Sequence, residues 1–329
     1  MKRRAKGGSL MNNVIIDGLS FALPLFIMAI GGIYSERSGV TNLALEGLQG
    51  FGAFTGALVA YMLMQFTSVD SSAVYYVALL FAMIGGMIFS LLHALLCVRF
   101  KANQVISGVV INILAMALTA FLTKVINRSV FGTPSDKFDL GVSARWTVPG
   151  LSKIPVLGAV FTNIYPFEVV ILVLAFVAWY LLYKTRFGLH VRACGDNPHA
   201  VDAAGIDVAK VRVKAVMMSG ALSGLAGISF AYSISAKFSS SIYVGYGYLA
   251  IAGLIFGNWK ILPTLGACLL FGFAKSGGYQ IVQNLGLPSS YSDLIMILPY
   301  VATLLLLMLF SKHNQAPRAL GEIYDKGKR

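Results

Sequence analysis

Nine long apolar runs govern what this chain can fold into. They lie at about 14–33, 39–64, 73–98, 105–127, 164–184, 213–236, 244–257, 260–284 and 293–311. A helix needs about 20 apolar residues to span the hydrocarbon core of a bilayer, and most of these runs reach that length. They leave no room for a sizeable soluble domain. The expected fold is therefore all-α and polytopic, a single transmembrane domain over 1–329. Composition agrees, since 57% of the 329 residues are hydrophobic and only 12% are charged. A soluble globule carries about twice that charge.

The net charge of +13 would suit a nucleic-acid partner, but its placement argues against one. With 1–13, 99–104, 184–214, 258–260 and 311–329 taken as cytoplasmic, those segments hold most of the 26 Lys and Arg. That is the positive-inside bias of a membrane protein, with an added attraction to anionic membrane lipid. The same placement gives a cytoplasmic N-terminus at 1–13, an extracytoplasmic loop at 128–163, a cytoplasmic loop at 185–212 and a cytoplasmic tail at 312–329. A short helix is expected in the outer loop around Asp136–Val142. Nine crossings with the C-terminus inside would put Lys2, Arg3 and Arg4 outside, against the charge rule. A broken or re-entrant segment within 39–64 repairs the parity, giving about ten crossings. Asn42, Glu46, Gly47, Gln49 and Gly50 interrupt that run as such a piece requires. The chain's start reads as an uncleaved signal-anchor, and Cys97, Cys194 and Cys268 read as free thiols.

The charged stretch from Lys184 to Ile206 stands apart from this apolar background. Asn197 suits an N-cap, Pro198 the first helical position and Gly205 the left-handed residue after the last turn. The spacing predicts a two-turn helix over 198–204, about 10 Å long, standing out from the bilayer. A solvated connector needs no such residues in register.

Polar residues inside the spans are the other candidates. Asn42, Glu46 and Gln49 fall at i, i+4 and i+7, on one helical face. A carboxylate near mid-membrane costs about 3 kcal/mol or more unless water or a partner meets it. The face either lines a translocation path for a small polar solute or joins helices by hydrogen bonds. Asn112, Tyr232 and Lys275 are further path candidates; Lys275 either snorkels or pairs with an acid such as Glu46. Glu36 and Arg37 are expected to pair with each other. Tyr243, Tyr246 and Tyr248 read as an interfacial belt. Gly52 with Gly56, Gly220 with Gly224 and Gly253 with Gly257 read as close helix contacts. Leu43–Leu48 echoes Leu249–Leu254, a weak sign of an internal repeat. Metalloprotease, hydrolase-elbow and P-loop patterns are missing. The chain is thus not read as an enzyme and needs no cofactor of its own; ATP-driven work requires a separate subunit.

The segment Tyr34-Ser35-Glu36-Arg37-Ser38-Gly39-Val40-Thr41-Asn42-Leu43-Ala44-Leu45-Glu46-Gly47 resembles the opening signature of a family of bacterial ABC-importer permeases. This is the branched-chain amino acid and simple-sugar permease superfamily. Within it, the signature is most similar to permeases that work with basic-membrane-protein-type lipoproteins and import nucleosides. Gly188-Leu189, the run Arg192 to Pro198 and the run Ala203 to Ile206 resemble the family's coupling segment. Ser219 to Gly227 resembles its small-residue helix. Asp196 stands where Glu is usual, and His199 where a basic residue is common. The resemblance implies a type II importer in the bacterial cytoplasmic (inner) membrane. Such a machine has two permeases around a central path, two cytoplasmic ATP-binding subunits and an extracytoplasmic solute-binding lipoprotein. The ATPase contact would then comprise Gly195, Asp196, Asn197, Pro198, His199, Ala200, Val201, Ala203, Ala204 and Gly205. Simple sugars or branched-chain amino acids are the alternative cargo. An ion-coupled secondary transporter, with Glu46 and Lys275 as its ion site, is the alternative machine.

Overall fold

The computed structural model describes residues 2–68, 70–141, 145–154, 157–286 and 315–327, together with positions 288, 291, 297, 300, 301 and 305. Most of the expected apolar run at 293–311 lies outside the described residues. The helices are α1 (Lys2–Arg37), α2 (Leu45–Phe66), α3 (Ser71–Ala94), α4 (Gln104–Ser129), α5 (Pro166–Lys184), α6 (Arg186–Asp196), α7 (Pro198–Ala203), α8 (Val208–Ile234), α9 (Tyr246–Phe256) and α10 (Ile261–Leu285). A π-helical turn, Leu95–Arg99, ends α3. Among the described residues, seven helices are long and apolar enough to cross a membrane; α9 is a shorter apolar helix. The protein is an all-α, multi-pass membrane protein.

The interruption expected within 39–64 falls at its start. Residues 38–44 are non-helical and mostly buried, and α2 then runs unbroken from Leu45. In the long loop, the helix expected at Asp136–Val142 is replaced by strand β1 (Phe138–Asp139), paired antiparallel with β2 (Lys237–Phe238). Phe138 explains the change: its ring is fully buried against Phe54, Tyr61 and Phe238. Tertiary packing overrides local preference there.

α1 and α8 form the centre of the bundle. α1 packs on α10 as α8 packs on α3; α2 rests on α8 as α9 rests on α1; and α1 and α8 meet each other. Exchanging α1–α3 with α8–α10 maps this scheme onto itself, which gives the echo at 43–48 and 249–254 a structural basis. The corresponding helices run in opposite directions, as in inverted repeats. Small residues let the central helices touch. A Cβ on Gly224 would lie 2.1 Å from the Ala82 carbonyl oxygen, and one on Gly52 would lie 2.3 Å from the Gly224 Cα. Outward faces of α4 and α5 carry Ile106, Ile113 and Phe121, and Leu172, Val173 and Phe176, all exposed. Such faces suit lipid.

The two ends of the bundle are distinct. Asp17 of α1 meets Gln280 near the end of α10 and lies beside Arg145 of the long loop. Arg37, at the other end of α1, has its carbonyl against Gly195 of the segment before α7. The chain's start and the 185–212 segment therefore occupy opposite ends, and the two cannot both be cytoplasmic as the charge count suggested. The single crossing made by α2 accounts for this. No added crossing is present at 39–64 to turn the N-terminus around.

Candidate functional site

The short helix expected after Asn197 is present as α7. Asn197 takes an extended conformation, and its side chain accepts the Ala200 N–H at 3.0 Å. Pro198 occupies the first turn, and Gly205 ends the helix with φ +79°. Pro198 and Val201 face inward, while Asp196, Asn197, His199, Ala200, Ala203, Ala204 and Gly205 are exposed. The result is a small, mostly uncharged knob with an anchored underside.

The preceding helix α6 was not anticipated. Its signal was present: Thr185 caps it by accepting the Gly188 N–H at 3.3 Å, and Gly188, Val191, Cys194 and Gly195 form the buried stripe at helical spacing. Burial pushes the Cys194 thiol up to about 11, so it is an inert packing group. Thus α7 sits on a second helix rather than on a loop.

Beneath this end lies the non-helical corner between α1 and α2, the stretch carrying the permease-like signature. Glu36 and Arg37 do not pair with each other. Glu36 accepts the Trp259 indole N–H, and Arg37 Nε donates to the Trp259 carbonyl at 3.2 Å. The corner is thereby tied to the turn between α9 and α10. Arg212, buried at the start of α8, donates from Nε to the Ser38 carbonyl at 3.1 Å. Further along, Asn42 Nδ2 donates to Ser219 Oγ at 2.8 Å, and its Oδ1 accepts the Ala44 N–H. His93 lies 3.1 Å from the Thr41 carbonyl and 2.9 Å from Ser107 Oγ. Asn42 is therefore committed to holding the corner. Arg212, which carries much of this junction, escaped sequence reasoning because it looked like one more positive-inside charge.

The remaining candidates divide into those the structure brings together and those it does not. Glu46 Oε2 accepts the Gly245 N–H at 2.8 Å, at the start of α9. A carboxylate there also complements the helix dipole. Asn112 Oδ1 accepts the Gly47 N–H at 2.7 Å, and its Nδ2 donates to the Leu43 carbonyl at 2.8 Å; it also reaches Tyr248 Oη at 3.4 Å. Lys275 Nζ donates to Tyr246 Oη at 2.8 Å and lies over the Phe21 ring at 3.8 Å. Of the two readings of Lys275, the pair with Glu46 is not formed: each bonds instead to the first residues of α9 or the turn before it. Tyr243 and Tyr246 are buried rather than interfacial. Tyr243 packs against Gly50, and its hydroxyl is 3.3 Å from that of Thr119.

Two candidates stand apart. Gln49 is fully buried, and neither atom of its amide has a hydrogen-bond partner. Tyr232 lies at the loop end, its ring 4.5 Å from that of Tyr75 and beside Arg145 and Tyr165. The central polar cluster thus comprises Glu46, Asn112, Thr119, Lys275 and the tyrosines around the start of α9. Tyr248, Val244 and Tyr300 leave one side of it exposed.

A half-length helix starting inside a polar, partly open cluster, with a capped knob at one end of the bundle, defines a membrane permease. The family model described as "Branched-chain amino acid transport system / permease component" matches residues 14–306, and the chain belongs to that family. It is 39% identical to the guanosine ABC transporter permease protein NupQ of Bacillus subtilis, over 97% of this chain and 98% of that protein. It is 36% identical to the nucleoside ABC transporter permease protein NupC of Lactococcus lactis, over 96% and 97%. A putative glucose ABC transporter permease protein of Haloferax volcanii, TsgC13, is 31% identical over 76% of this chain and 72% of that protein.

Proposed function

We propose that the chain is the transmembrane permease subunit of an ATP-driven ABC importer for nucleosides in a bacterial cytoplasmic membrane. The observation that carries this reading is α7. It is short, capped at both ends, exposed on one face and seated on packed helices, as a part must be if another protein is to push on it. The ATP-binding subunits are that partner, and they bind the nucleotide; Gly195 to Val201 and Ala203 to Gly205 form the contact. Nucleosides are favoured over sugars because two near-full-length relatives, at 39% and 36% identity, carry guanosine and nucleoside in their names, while the glucose-named relative matches a smaller share. A nucleoside also suits a path bordered by Glu46, Asn112 and tyrosine rings, which offer hydrogen bonds and flat apolar faces. Solute arrives from an extracytoplasmic binding lipoprotein.

Bacillus subtilis and Lactococcus lactis each contain a second, less similar permease, NupP at 27% and NupB at 21% identity. This supports a partner permease of the other type, facing the exposed side of the polar cluster. The ion-coupled alternative loses its acid–base pair, since Glu46 and Lys275 each bond elsewhere.

The test is uptake of tritiated guanosine by vesicles containing the assembled complex. ATP-dependent uptake that other nucleosides compete away is expected, and deletion of 198–203 should abolish it while the spans stay folded. Uptake that collapses with a protonophore while ATP stays high would overturn the reading.

A further inference from the structure

The segment 315–327 lies against the bundle and bonds at once to the α9–α10 turn, to α6 and to the α1–α2 corner. Gln315 N–H donates to Asn258 Oδ1 at 2.8 Å, in the turn between α9 and α10. Ala319 N–H donates to the Gly195 carbonyl at 2.8 Å, in the last turn of α6. Gly321 N–H donates to the Gly39 carbonyl at 3.1 Å, in the corner between α1 and α2. Arg212, already bonded to Ser38, donates from Nη1 to the Glu322 carbonyl at 3.0 Å. Further on, the Tyr324 ring lies 5.2 Å from that of His199, and Lys326 meets Asp202 at 3.4 Å, both on α7. Lys101, after α3, meets Asp325 at 2.9 Å.

These bonds differ in kind. The lysine pairs are exposed and worth little. The bond from Ala319 to Gly195 and the Arg212 contact involve buried residues, and these two and the bond to Gly39 all end on main-chain carbonyls. Gly321 makes the grip possible: its φ is +81°, a conformation that few residues other than glycine adopt. Beside this segment, a cavity of about 780 Å³ opens between α3, the α7–α8 turn, the start of α8 and Tyr324–Lys326. Pulled or pushed, α7 and α6 would carry the strap with them. The strap grips both the α1–α2 corner, which leads into Glu46, and the α9–α10 turn, which ends the half-length helix.

We propose that residues 315–322 are a transmission strap, which passes displacement of α6–α7 to the two corners flanking the polar cluster. The proposal rests on the importer reading, and the experiment separates the two. The complex is assembled with its ATPase and second permease, using the full chain, a chain ending at residue 314, Gly321→Val and Gly321→Asn. Uptake of tritiated guanosine and ATP hydrolysis are measured per assembled complex. Loss of the strap should lower uptake about tenfold with hydrolysis within about twofold of the parent, the scale of one coupling free energy. Gly321→Val, strained at positive φ, should behave alike, while Gly321→Asn should retain coupling, since Asn tolerates that conformation. A merely structural segment would lower both activities together. An unchanged ratio of uptake to hydrolysis in the truncated chain or in Gly321→Val overturns the strap. A parent complex without ATP-dependent uptake overturns the importer reading beneath it.

Discussion

At one end of the bundle, α7 is built by neighbours in sequence: Asn197 caps it, Pro198 starts it and Gly205 stops it. In the mid-membrane cluster every bond spans much more chain. Glu46 and Gly245 are 199 residues apart, and Asn112 and Gly47 are 65 apart. The first region would keep its shape in many surroundings. The second exists only once α2, α4 and α9 have packed. Local coding suits a part that must present a constant face to another protein. Long-range coding suits a part whose geometry must change when helices move, because small shifts between helices alter each bond in it.

If this contrast is sound, the largest losses come from the long-range bonds. Glu46→Ala removes the acceptor for the buried start of α9, a charge-assisted bond worth about 1.5–3 kcal/mol. The variant should melt earlier in lipid nanodiscs and transport poorly, and Glu46→Gln should recover much of the stability. Equal stability in Glu46→Ala and the parent would break the comparison. Next comes Asn112→Ala, which leaves the Gly47 N–H and the Leu43 carbonyl without partners at a cost of about 1–3 kcal/mol. Its double-mutant cycle with Glu46→Ala should be non-additive, because both fix the start of α2 against neighbours. Additive losses would mean the cluster is two independent contacts.

Gln49→Met should run the other way. An amide buried without partners is costly, and a thioether of similar length fills the same space, so stability should rise by about 1 kcal/mol. Should Gln49 instead meet solute during transport, uptake falls while stability rises. That split assigns it to the path, and unchanged uptake assigns it to packing alone.

The same contrast explains what was legible beforehand. The apolar runs, α7 and its caps, and the family resemblance rest on neighbouring residues, and each was readable. The central cluster was only partly so. Glu46, Asn112 and Lys275 stood out as polar groups in apolar runs, but nothing in their spacing showed that Glu46 and Lys275 would each bond at the start of α9. Arg212 and the 315–322 strap left no local pattern, since their partners are main-chain carbonyls, which every residue possesses. The expectation that the chain's start and 185–212 share one side failed for a related reason. Charge near the start is a statistical guide to sidedness, whereas Asp17 beside Arg145 and Arg37 beside Gly195 are packing facts.

The smallest expected effect tests the locally coded side. Asp207 caps α8 by accepting the Lys210 N–H at 3.0 Å, and the Lys210 ammonium lies 3.2 Å from its other oxygen. The backbone hydrogen bond first, then that lysine, holds its carboxyl below the usual range. A depressed folded value means that this charge's contribution is complete above the unfolded carboxylate value and fades as pH falls through the folded one. Exposure keeps it small. Asp207→Ala should therefore cost about 0.5–1 kcal/mol at neutral pH, as other cap losses do, while Asp207→Asn should match the parent closely because asparagine caps equally well. Any gap between Asp207→Asn and the parent should close as pH falls below the ordinary aspartate range. A gap that opens or closes between pH 6 and 8 (on the order of the histidine range) would mean that another titrating group governs this end, and that α8 does not begin by local capping alone.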